Sequence, residues 1–358
     1  MHEQFLLAAL EQAKLGQGQC APNPSVGAVA VQNGKIIAQA FHKGAGTPHA
    51  EQLLLAQLPP KMLGVNVYIT LEPCNHWGKT PPCVQVLSDY GVERVYFAYF
   101  DPNPIVAENN SSQQLRSKGI EVHHIPLKEI DIFYKSYTQW LNTGKPRVTV
   151  KMAQSIDGKI GAAQGERIVL SNKLCQQFTH EMRARSDIIL TTAKTIQADN
   201  PKMNVRLNGT EKAKPVAILD SHLTLDRTTL IFSAASECHI YHQNDIKPPQ
   251  EKIPYCSYHA MPIKKGRIDL DKVIAHLGAS GYHDVWVEAG GALFSSLHKE
   301  QLVDRTYLYL VPTCLGENTV SAYQQSDLFA RQHSVSWQVM GNNMILCLDW
   351  QEDECLQP

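Results

Sequence analysis

Three residues in the first half of the chain have the side chains of a metal site. His49 supplies an imidazole, and Cys74 and Cys83 supply two thiolates, each directly after a proline. One nitrogen and two sulfur ligands suit zinc, and a set of three leaves a fourth coordination position for water. An open position of this kind is typical of a catalytic zinc site.

Glu51 lies two residues after His49 and is the candidate catalytic residue. At this spacing its carboxylate can reach a water on zinc without binding the metal. Zinc lowers the pKa of such a water, and Glu51 would carry its proton to the ring and then to the departing amine. A His-x-Glu motif followed by Pro-Cys motifs is typical of nucleobase deaminases.

The spacing between the two cysteines is longer than in the common deaminase motif. Residues 75–82 separate Cys74 from Cys83 and are rich in polar donors. Because this loop joins two ligands, we expect it to border the metal pocket and to contact substrate. Each ligand alone would more often be an ordinary histidine or a buried thiol. A structural zinc site remains an alternative, with His76 as the nearby fourth ligand.

Alternating helices and strands must position these residues. The sequence predicts helices over residues 3–15 and 111–118 and helix starts near His49 and Pro82. Strands are predicted over residues 26–31, 35–41, 65–70 and 94–98, with a short one ending near His124. Asn33-Gly34 favours a tight hairpin between the first two strands, since a type I′ turn needs positive φ at both positions. The pattern predicts an α/β sheet with helices on its faces.

A second α/β pattern follows a turn-rich boundary at residues 142–146. The predicted strands cover residues 148–152, 187–191, 216–219, 239–241, 285–288, 307–311 and 344–348. Helices are predicted over residues 173–185 and 270–277, and Gly290-Gly291 opens another. The sequence therefore predicts two α/β domains.

Composition narrows the classes of function. The 358 residues are 43% hydrophobic and 19% charged, with a formal net charge of −1. This balance argues against a nucleic-acid or anionic-membrane partner, and so against a zinc-stabilised nucleic-acid-binding module. The chain lacks a predicted membrane span, and nine cysteines without a secretion signal favour reduced thiols in a cytoplasmic protein.

Longer motifs resemble one enzyme family over nearly the whole chain. In the first half they cover residues 21–27, 48–51, 70–83 and 101–104, and in the second half residues 151–159, 183–186, 195–201, 219–221 and 287–291. The sequence resembles the bifunctional riboflavin-biosynthesis deaminase–reductases. The resemblance implies a cytidine-deaminase-like α/β/α domain in residues 1–145 and a dihydrofolate-reductase-like α/β domain in residues 146–358. It also implies a homodimer or homotetramer.

For the first domain, the resemblance implies hydrolytic deamination of a diaminopyrimidinone that carries a phosphoribosylamino group. Asn23, His76, Lys79 and Thr80 would line its pocket. Lys79 stands where the family usually has arginine. An ammonium group therefore replaces a planar guanidinium group, which could hold phosphate through two hydrogen bonds.

For the second domain, the resemblance implies NADPH-dependent reduction of the ribosyl group to a ribityl chain. The implied cofactor-binding residues are Ala153, Thr195, Asp199, Ser221, Gly290 and Gly291. The implied substrate-binding residues are Lys151, Arg183, Met203, Arg206 and Glu288. A glycine pair between a strand and a helix lets backbone approach a pyrophosphate, and guanidinium groups match phosphate oxygens.

Two positions in the second half depart from the family pattern. The family usually has Ser-x-Trp shortly after residue 165, but this chain has no tryptophan there and the segment is one residue shorter. Lys194 also stands where a small glycine is common. An active deaminase with a degenerate or altered-substrate reductase domain is therefore the alternative to a bifunctional enzyme.

Overall fold

A computed structural model describes residues 2–77, 81–104, 110–162, 168–251, 253–288, 290–323 and 328–350. The chain separates into two compact units, Met1–Gly144 and Lys145–Pro358. Among the described residues, no helix combines the length and apolar character that crossing a membrane requires.

The first unit is built on a five-stranded sheet with the order β2-β1-β3-β4-β5. The strands are β1 (Gly27–Gln32), β2 (Lys35–Phe41), β3 (Asn66–Leu71), β4 (Arg94–Tyr99) and β5 (Glu121–His124). β1 runs antiparallel to β2 and β3, whereas β3, β4 and β5 are mutually parallel. Asn33 and Gly34 have φ values of 52° and 74°, which confirms the predicted hairpin.

Helices cover both faces of this sheet. The helices are α1 (His2–Gly16), α2 (Ala50–Leu55), α3 (Cys83–Tyr90), α4 (Ser111–Ser117) and α5 (Lys128–Thr143). Apolar residues of α1 and α5 pack on one face, and those of α2, α3 and α4 pack on the other. α1 approaches β1 so closely that a Cβ on Gly27 would lie 2.0 Å from the Ala9 carbonyl oxygen. The first unit is therefore an α/β/α sandwich.

The second unit contains a nine-stranded sheet with the order β13-β12-β11-β8-β16-β6-β17-β20-β19. Its strands are β6 (Arg147–Ser155), β8 (Ile188–Thr192), β11 (Pro215–Leu219), β12 (Glu237–Gln243), β13 (Cys256–Met261), β16 (Asp284–Glu288), β17 (Arg305–Val311), β19 (His333–Met340) and β20 (Asn343–Trp350). The run from β13 to β17 is parallel, and β20 and β19 are antiparallel. Carboxyl ends of seven strands therefore meet at one edge.

Two hydrophobic cores lie on opposite faces of this sheet. Helices α9 (Leu270–Ala279) and α10 (Gly291–Lys299) pack on one face. Helices α6 (Lys173–Arg185), α7 (Ala193–Asp199) and α8 (Ile231–Ala234) pack on the other. Short two-stranded ladders pair β7 (Lys159–Ala162) with β18 (Thr319–Ser321), β9 (Val205–Leu207) with β10 (Thr210–Lys212), and β14 (Ile263–Lys264) with β15 (Arg267–Ile268).

Candidate active sites

The structure brings His49, Cys74 and Cys83 together. His49 precedes the first residue of α2, Cys83 opens α3, and Cys74 lies in the loop after β3. The Nδ1 atom of His49 is 3.2 Å from the Sγ of Cys83 and 3.4 Å from the Sγ of Cys74. The two sulfurs are 3.4 Å apart. In the part of the chain that the structure describes, this is the one group of three such side chains close enough to share a metal ion.

These distances fit a zinc ion. Bond lengths of about 2.3 Å to sulfur and 2.0 to 2.1 Å to nitrogen give tetrahedral edges of roughly 3.6 to 3.8 Å. The observed edges are shorter by a few tenths of an ångström, so small side-chain movements would accommodate the ion. His76 is not a member of this group, and the described residues thus leave a fourth position open.

In the metal-free group the charge of Cys74 favours metal binding, whereas His49 and Cys83 must each lose a proton to bind a metal. Hydrogen bonding from the Cys83 thiol lowers the pKa of Cys74 to about 4, although burial opposes the shift. The backbone N–H of Cys83, at the start of α3, also donates to the Cys74 sulfur. The hydrogen bond with Cys74 raises the pKa of His49 to about 9. Cys74 is therefore held as a thiolate, the form that binds metals.

Glu51 lies against this group from the first turn of α2. Glu51 is only 3% exposed, and its carboxyl group interacts with the Cys83 thiol. Burial raises the pKa of Glu51, and the neighbouring His49 opposes that rise. A buried carboxyl group with a raised pKa is suited to accept a proton and to return it.

Asn23 is held by a buried histidine that the sequence did not single out. The Nε2 atom of His42 is 3.2 Å from Asn23 Nδ2, and its Nδ1 is 3.2 Å from the carbonyl oxygen of Pro48. The ring of His42 lies 5.4 Å from the ring of His49. His42 thus links the predicted substrate residue Asn23 to the metal group. No sequence motif around His42, at the end of β2, indicates these contacts.

The loop after Cys74 presents polar atoms that have no protein partner among the described residues. In that part of the chain, the side-chain amide of Asn75 and the Nδ1 of His76 are buried without a hydrogen bond. Buried polar atoms of this kind usually meet water or a ligand. Asp101, at the carboxyl end of β4, is buried nearby and interacts electrostatically with Cys74 and His76. The sheet topology could have indicated Asp101, because parallel strands end at a common edge.

Two predicted residues of this pocket, Lys79 and Thr80, lie outside the described residues. The same holds for residues 163–167, which include part of the segment where the family motif is altered.

In the second unit, a buried ion pair joins two predicted substrate residues. Arg183 on α6 donates to Glu288 through Nε at 2.6 Å and Nη2 at 2.9 Å. Trp286 Nε1 donates to the same carboxylate at 2.8 Å. Burial alone would raise the pKa of Glu288, but Arg183 outweighs it and lowers the value to about 2. The carboxylate is thus ionised and rigidly oriented.

The other predicted substrate residues surround this pair. Lys151 is in register with Glu288 on the neighbouring strand, and its Nζ lies 5.0 Å from the centre of the Tyr309 ring. Burial lowers the pKa of Lys151. Met203 Sδ lies 3.5 Å from Arg183 Nη2. Arg206 is exposed; its guanidinium group donates to the side chain of Asn204 at 2.6 Å, and its backbone N–H donates to His180 Nδ1 at 3.2 Å.

The predicted cofactor residues lie at the edge where the parallel strands end. Ala153 is near the end of β6, and Thr195 and Asp199 lie on α7, which follows β8 directly. Ser221 follows β11, and Gly290 precedes α10. A Cβ on Gly291 would lie 2.9 Å from the Ala322 carbonyl oxygen. The structure places these residues along the edge of the sheet where the parallel strands end, with α7 on one face and α10 on the other.

An α/β/α unit with a His-Cys-Cys group beside a buried glutamate is the architecture of a zinc-dependent deaminase, and here a second α/β unit with a parallel sheet follows it. Two family models match accordingly. The model for the cytidine and deoxycytidylate deaminase zinc-binding region matches residues 1–99, and the RibD C-terminal domain matches residues 146–346. The chain belongs to the RibD family of riboflavin biosynthesis proteins.

Full-length relatives agree with this assignment. The chain is 34% identical over 348 residues to the riboflavin biosynthesis protein RibD of Haemophilus influenzae, covering 94% of this chain and 92% of the relative. It is 32% identical over 330 residues to RibD of Escherichia coli, covering 88% and 89%. Each of these relatives therefore contains counterparts of both units of this chain.

Solved structures agree as well. RibD of Acinetobacter baumannii superposes with a TM-score of 0.84 at 29% identity, covering 98% of this chain and 99% of that one. A diaminohydroxyphosphoribosylaminopyrimidine deaminase/5-amino-6-(5-phosphoribosylamino)uracil reductase of Thermotoga maritima gives 0.86 at 26% identity with the same coverage.

The family and fold expectations are thus confirmed. The chain is a bifunctional riboflavin-biosynthesis enzyme with a cytidine-deaminase-like domain and a dihydrofolate-reductase-like domain. A degenerate reductase domain and a nucleic-acid-binding module are not favoured.

Proposed function

We propose that the first domain deaminates 2,5-diamino-6-ribosylamino-4(3H)-pyrimidinone 5′-phosphate. The observation that carries this proposal is the group of His49, Cys74 and Cys83 with the carboxyl group of Glu51 buried against it. The substrate follows from the activity named for the Thermotoga maritima relative. Water replaces the ring amine, and ammonia leaves.

His49, Cys74 and Cys83 would hold one zinc ion per chain. Bound zinc would supply a Lewis acid that makes water a nucleophile near neutral pH. Glu51 accepts one proton of the attacking water and delivers it to the ring nitrogen. It then takes the second proton from the hydroxyl group formed at the attacked carbon and delivers it to the leaving amine. Because His49 N-caps α2 and Glu51 lies in its first turn, the proton carrier is placed beside the metal ligand.

The substrate pocket is proposed to consist of Asn23, His76, Lys79 and Thr80. Asn23 would hydrogen-bond the pyrimidine, since its amide is fixed by His42. The Nδ1 of His76, which has no hydrogen-bond partner among the described residues, would bond the substrate. Lys79 and Thr80 would contact the ribose phosphate, because an ammonium and a hydroxyl group both donate to phosphate oxygens.

We propose that the second domain reduces the ribosyl group of 5-amino-6-(5-phosphoribosylamino)uracil to ribityl with NADPH. NADPH would supply a hydride. Ala153, Thr195, Asp199, Ser221, Gly290 and Gly291 would hold this cofactor. Their place at the carboxyl ends of parallel strands supports the assignment, because open α/β sheets bind ligands there. Gly290 N-caps α10, where the helix N-terminus favours a phosphate.

Lys151, Arg183, Met203, Arg206 and Glu288 would bind the reductase substrate. The Glu288 carboxylate is fixed by Arg183 and Trp286, so it can accept hydrogen bonds from ribose hydroxyls. Arg206 is exposed, so its guanidinium group has donors for the phosphate.

These activities assign residues 1–145 to the deaminase domain and residues 146–358 to the reductase domain. We also propose a cytoplasmic enzyme that acts on small molecules rather than nucleic acids. None of the eight cysteines that the structure describes is in a disulfide, as a reducing compartment favours.

We propose that the enzyme is a homo-oligomer, and β19 supports this. β19 is an edge strand without a charged residue, and Val335, Trp337 and Val339 on it are 52%, 55% and 72% exposed. Natural edge strands usually carry charges that prevent pairing. We expect Trp337→Lys to shift the molecular mass in light scattering toward the monomer, whereas an unchanged dimer or tetramer would exclude β19 from the interface.

One assay tests both activities. The zinc-loaded enzyme is incubated with the diaminopyrimidinone phosphate, first alone and then with NADPH. Ammonia should appear in the first reaction, and NADPH oxidation should follow only after deamination. Ammonia release without NADPH oxidation would contradict the reductase proposal, and no ammonia from zinc-loaded enzyme would contradict the deaminase proposal.

A further inference from the structure

Two cysteines face each other on neighbouring strands, away from the residues assigned above. Cys238 on β12 is in register with Cys256 on β13. Adjacent strands lie about 4.8 Å apart, which is within the Cα separations of roughly 4.4 to 6.8 Å that disulfides span. Both residues contribute to the same hydrophobic core, so their side chains project from the same face of the sheet.

The two thiols are close enough to interact. Their interaction lowers the pKa of Cys256 and raises that of Cys238. Both cysteines are thiols in this structure. Cys256 therefore has more thiolate character than its partner, and the thiolate is the nucleophile in disulfide exchange.

The two thiols differ in access. Cys238 is 3% exposed, whereas Cys256 is half-buried at the first residue of the edge strand β13. A small reagent can reach Cys256 from the edge of the sheet but cannot reach Cys238 without local opening. The pair thus has an accessible attacking thiol and a buried thiol positioned to resolve an intermediate.

We propose that Cys238 and Cys256 form a reversible redox site that takes a low-molecular-weight disulfide as its oxidant. The Cys256 thiolate attacks one sulfur of the small disulfide, forms a mixed disulfide and expels one small thiolate. Cys238 then loses its proton, attacks the Cys256 sulfur and expels the second small thiolate. Two protein thiols are oxidised to one disulfide, and one small disulfide is reduced to two thiols.

The disulfide would link the edge strand β13 covalently to β12 in the sheet of the second unit. β13 pairs with β12 alone in the nine-stranded sheet, and β12 ends at Gln243, whose N–H donates to the Ser221 carbonyl oxygen at 3.1 Å. The disulfide closes the loop between the two strands, which constrains the unfolded chain. We therefore expect the oxidised form to unfold at a higher temperature than the reduced form.

Tryptic mapping tests the proposal directly. Cleavage after Arg227, Lys252 and Lys264 gives one peptide with Cys238 and another with Cys256, since Pro248 blocks cleavage after Lys247. Zinc-loaded enzyme is treated with glutathione disulfide, blocked with N-ethylmaleimide and digested without reductant. We expect the two peptides joined and two hydrogens lighter than their sum, and separated again after dithiothreitol.

Three variants sharpen the result. Cys238→Ser should retain glutathione on residue 256, and Cys256→Ser should leave residue 238 unmodified in folded protein. Cys314→Ser, which removes an exposed thiol, should cross-link like the unaltered enzyme. The proposal is overturned if Cys314 takes up glutathione while residues 238 and 256 stay unlinked, or if they link only in urea. The result on the unaltered enzyme does not depend on how the variants fold.

Discussion

The deaminase site depends on single side chains that sequence motifs identify well. His49, Glu51, Cys74 and Cys83 were predicted from residue type and spacing, and the structure brings all four together. Metal ligands are recognisable because few residue types bind zinc and local elements fix their spacing. His42 was missed because its contacts to Asn23 and Pro48 depend on tertiary packing.

At Glu51, replacement of the carboxyl group should separate metal binding from proton transfer. We expect Glu51→Gln to retain zinc, because Glu51 is not one of the three ligand side chains, and to lower ammonia release by about 10²- to 10⁴-fold. Zinc content by mass spectrometry and ammonia release check this. Glu129→Gln, at an exposed site on α5, should leave both unchanged. Full turnover by zinc-loaded Glu51→Gln would exclude the proton-carrier role.

At Arg206, truncation should weaken substrate binding with little cost to the fold. Arg206 is exposed, and its guanidinium group donates to the side chain of Asn204, unlike the buried pair of Arg183 and Glu288. A lost charged hydrogen bond of about 1.5 to 3 kcal/mol should raise the reductase KM roughly 10- to 100-fold. Steady-state rates of NADPH oxidation at a series of substrate concentrations measure this KM. Arg227→Ala, which removes an exposed ion pair, serves as the control, and an equal KM for both variants would remove Arg206 from the phosphate site.

At the scale of elements, periodic and well-capped segments were predictable. The helix over Lys173–Arg185 was predicted with its bounds, and Asn172 caps it by accepting from the Cys175 N–H. β13 and β19 were not predicted. β13 is largely polar, and β19 exposes both of its faces, so each strand depends on pairing with a distant partner rather than on a local hydrophobic pattern.

The contact of β12, β13 and α9 should make the second unit sensitive to acid. His259 on β13 bonds His239 on β12 at 3.1 Å and packs against His276 on α9 with ring centres 4.3 Å apart. Burial, aided by His276, His239 and His242, lowers the pKa of His259 to about 4. Between about pH 6.5 and 4, His259 binds a proton more readily in the unfolded chain than in the folded protein. The free energy of unfolding therefore falls as pH falls.

Urea unfolding of the second unit at pH 7.5 and pH 5 measures this effect. His259→Asn should lose less stability on acidification than the unaltered enzyme. His222→Asn, at an exposed position, should retain the full loss. An identical loss in His259→Asn and the unaltered enzyme would show that this contact does not set the acid sensitivity.

At the scale of the whole molecule, the two proposed chemistries lie in separate compact units. The metal group lies within Met1–Gly144, and the proposed reductase residues lie within Lys145–Pro358. The two-domain organisation followed from the alternating pattern and the turn-rich boundary. The order of nine strands could not be predicted, because crossovers depend on contacts distant in sequence.

Metal removal should therefore affect one activity only. We expect dialysis against a chelator to abolish ammonia release and to lower the thermal stability of the first unit, because a metal that binds the folded state stabilises it. NADPH oxidation with the deaminated substrate should persist, because the proposed reductase residues lie in the other unit. Added zinc should restore ammonia release. Loss of both activities on chelation, with both restored by zinc, would contradict the assignment of the metal to the deaminase alone.

The metal group itself is tested most directly by zinc K-edge X-ray absorption on the intact enzyme. The proposed site predicts one zinc per chain with two sulfur ligands at about 2.3 Å and two nitrogen or oxygen ligands at about 2.0 to 2.1 Å. Cys74→Ser should lose one sulfur from that shell. A shell with three or four sulfurs, or a spectrum unchanged by Cys74→Ser, would contradict the account.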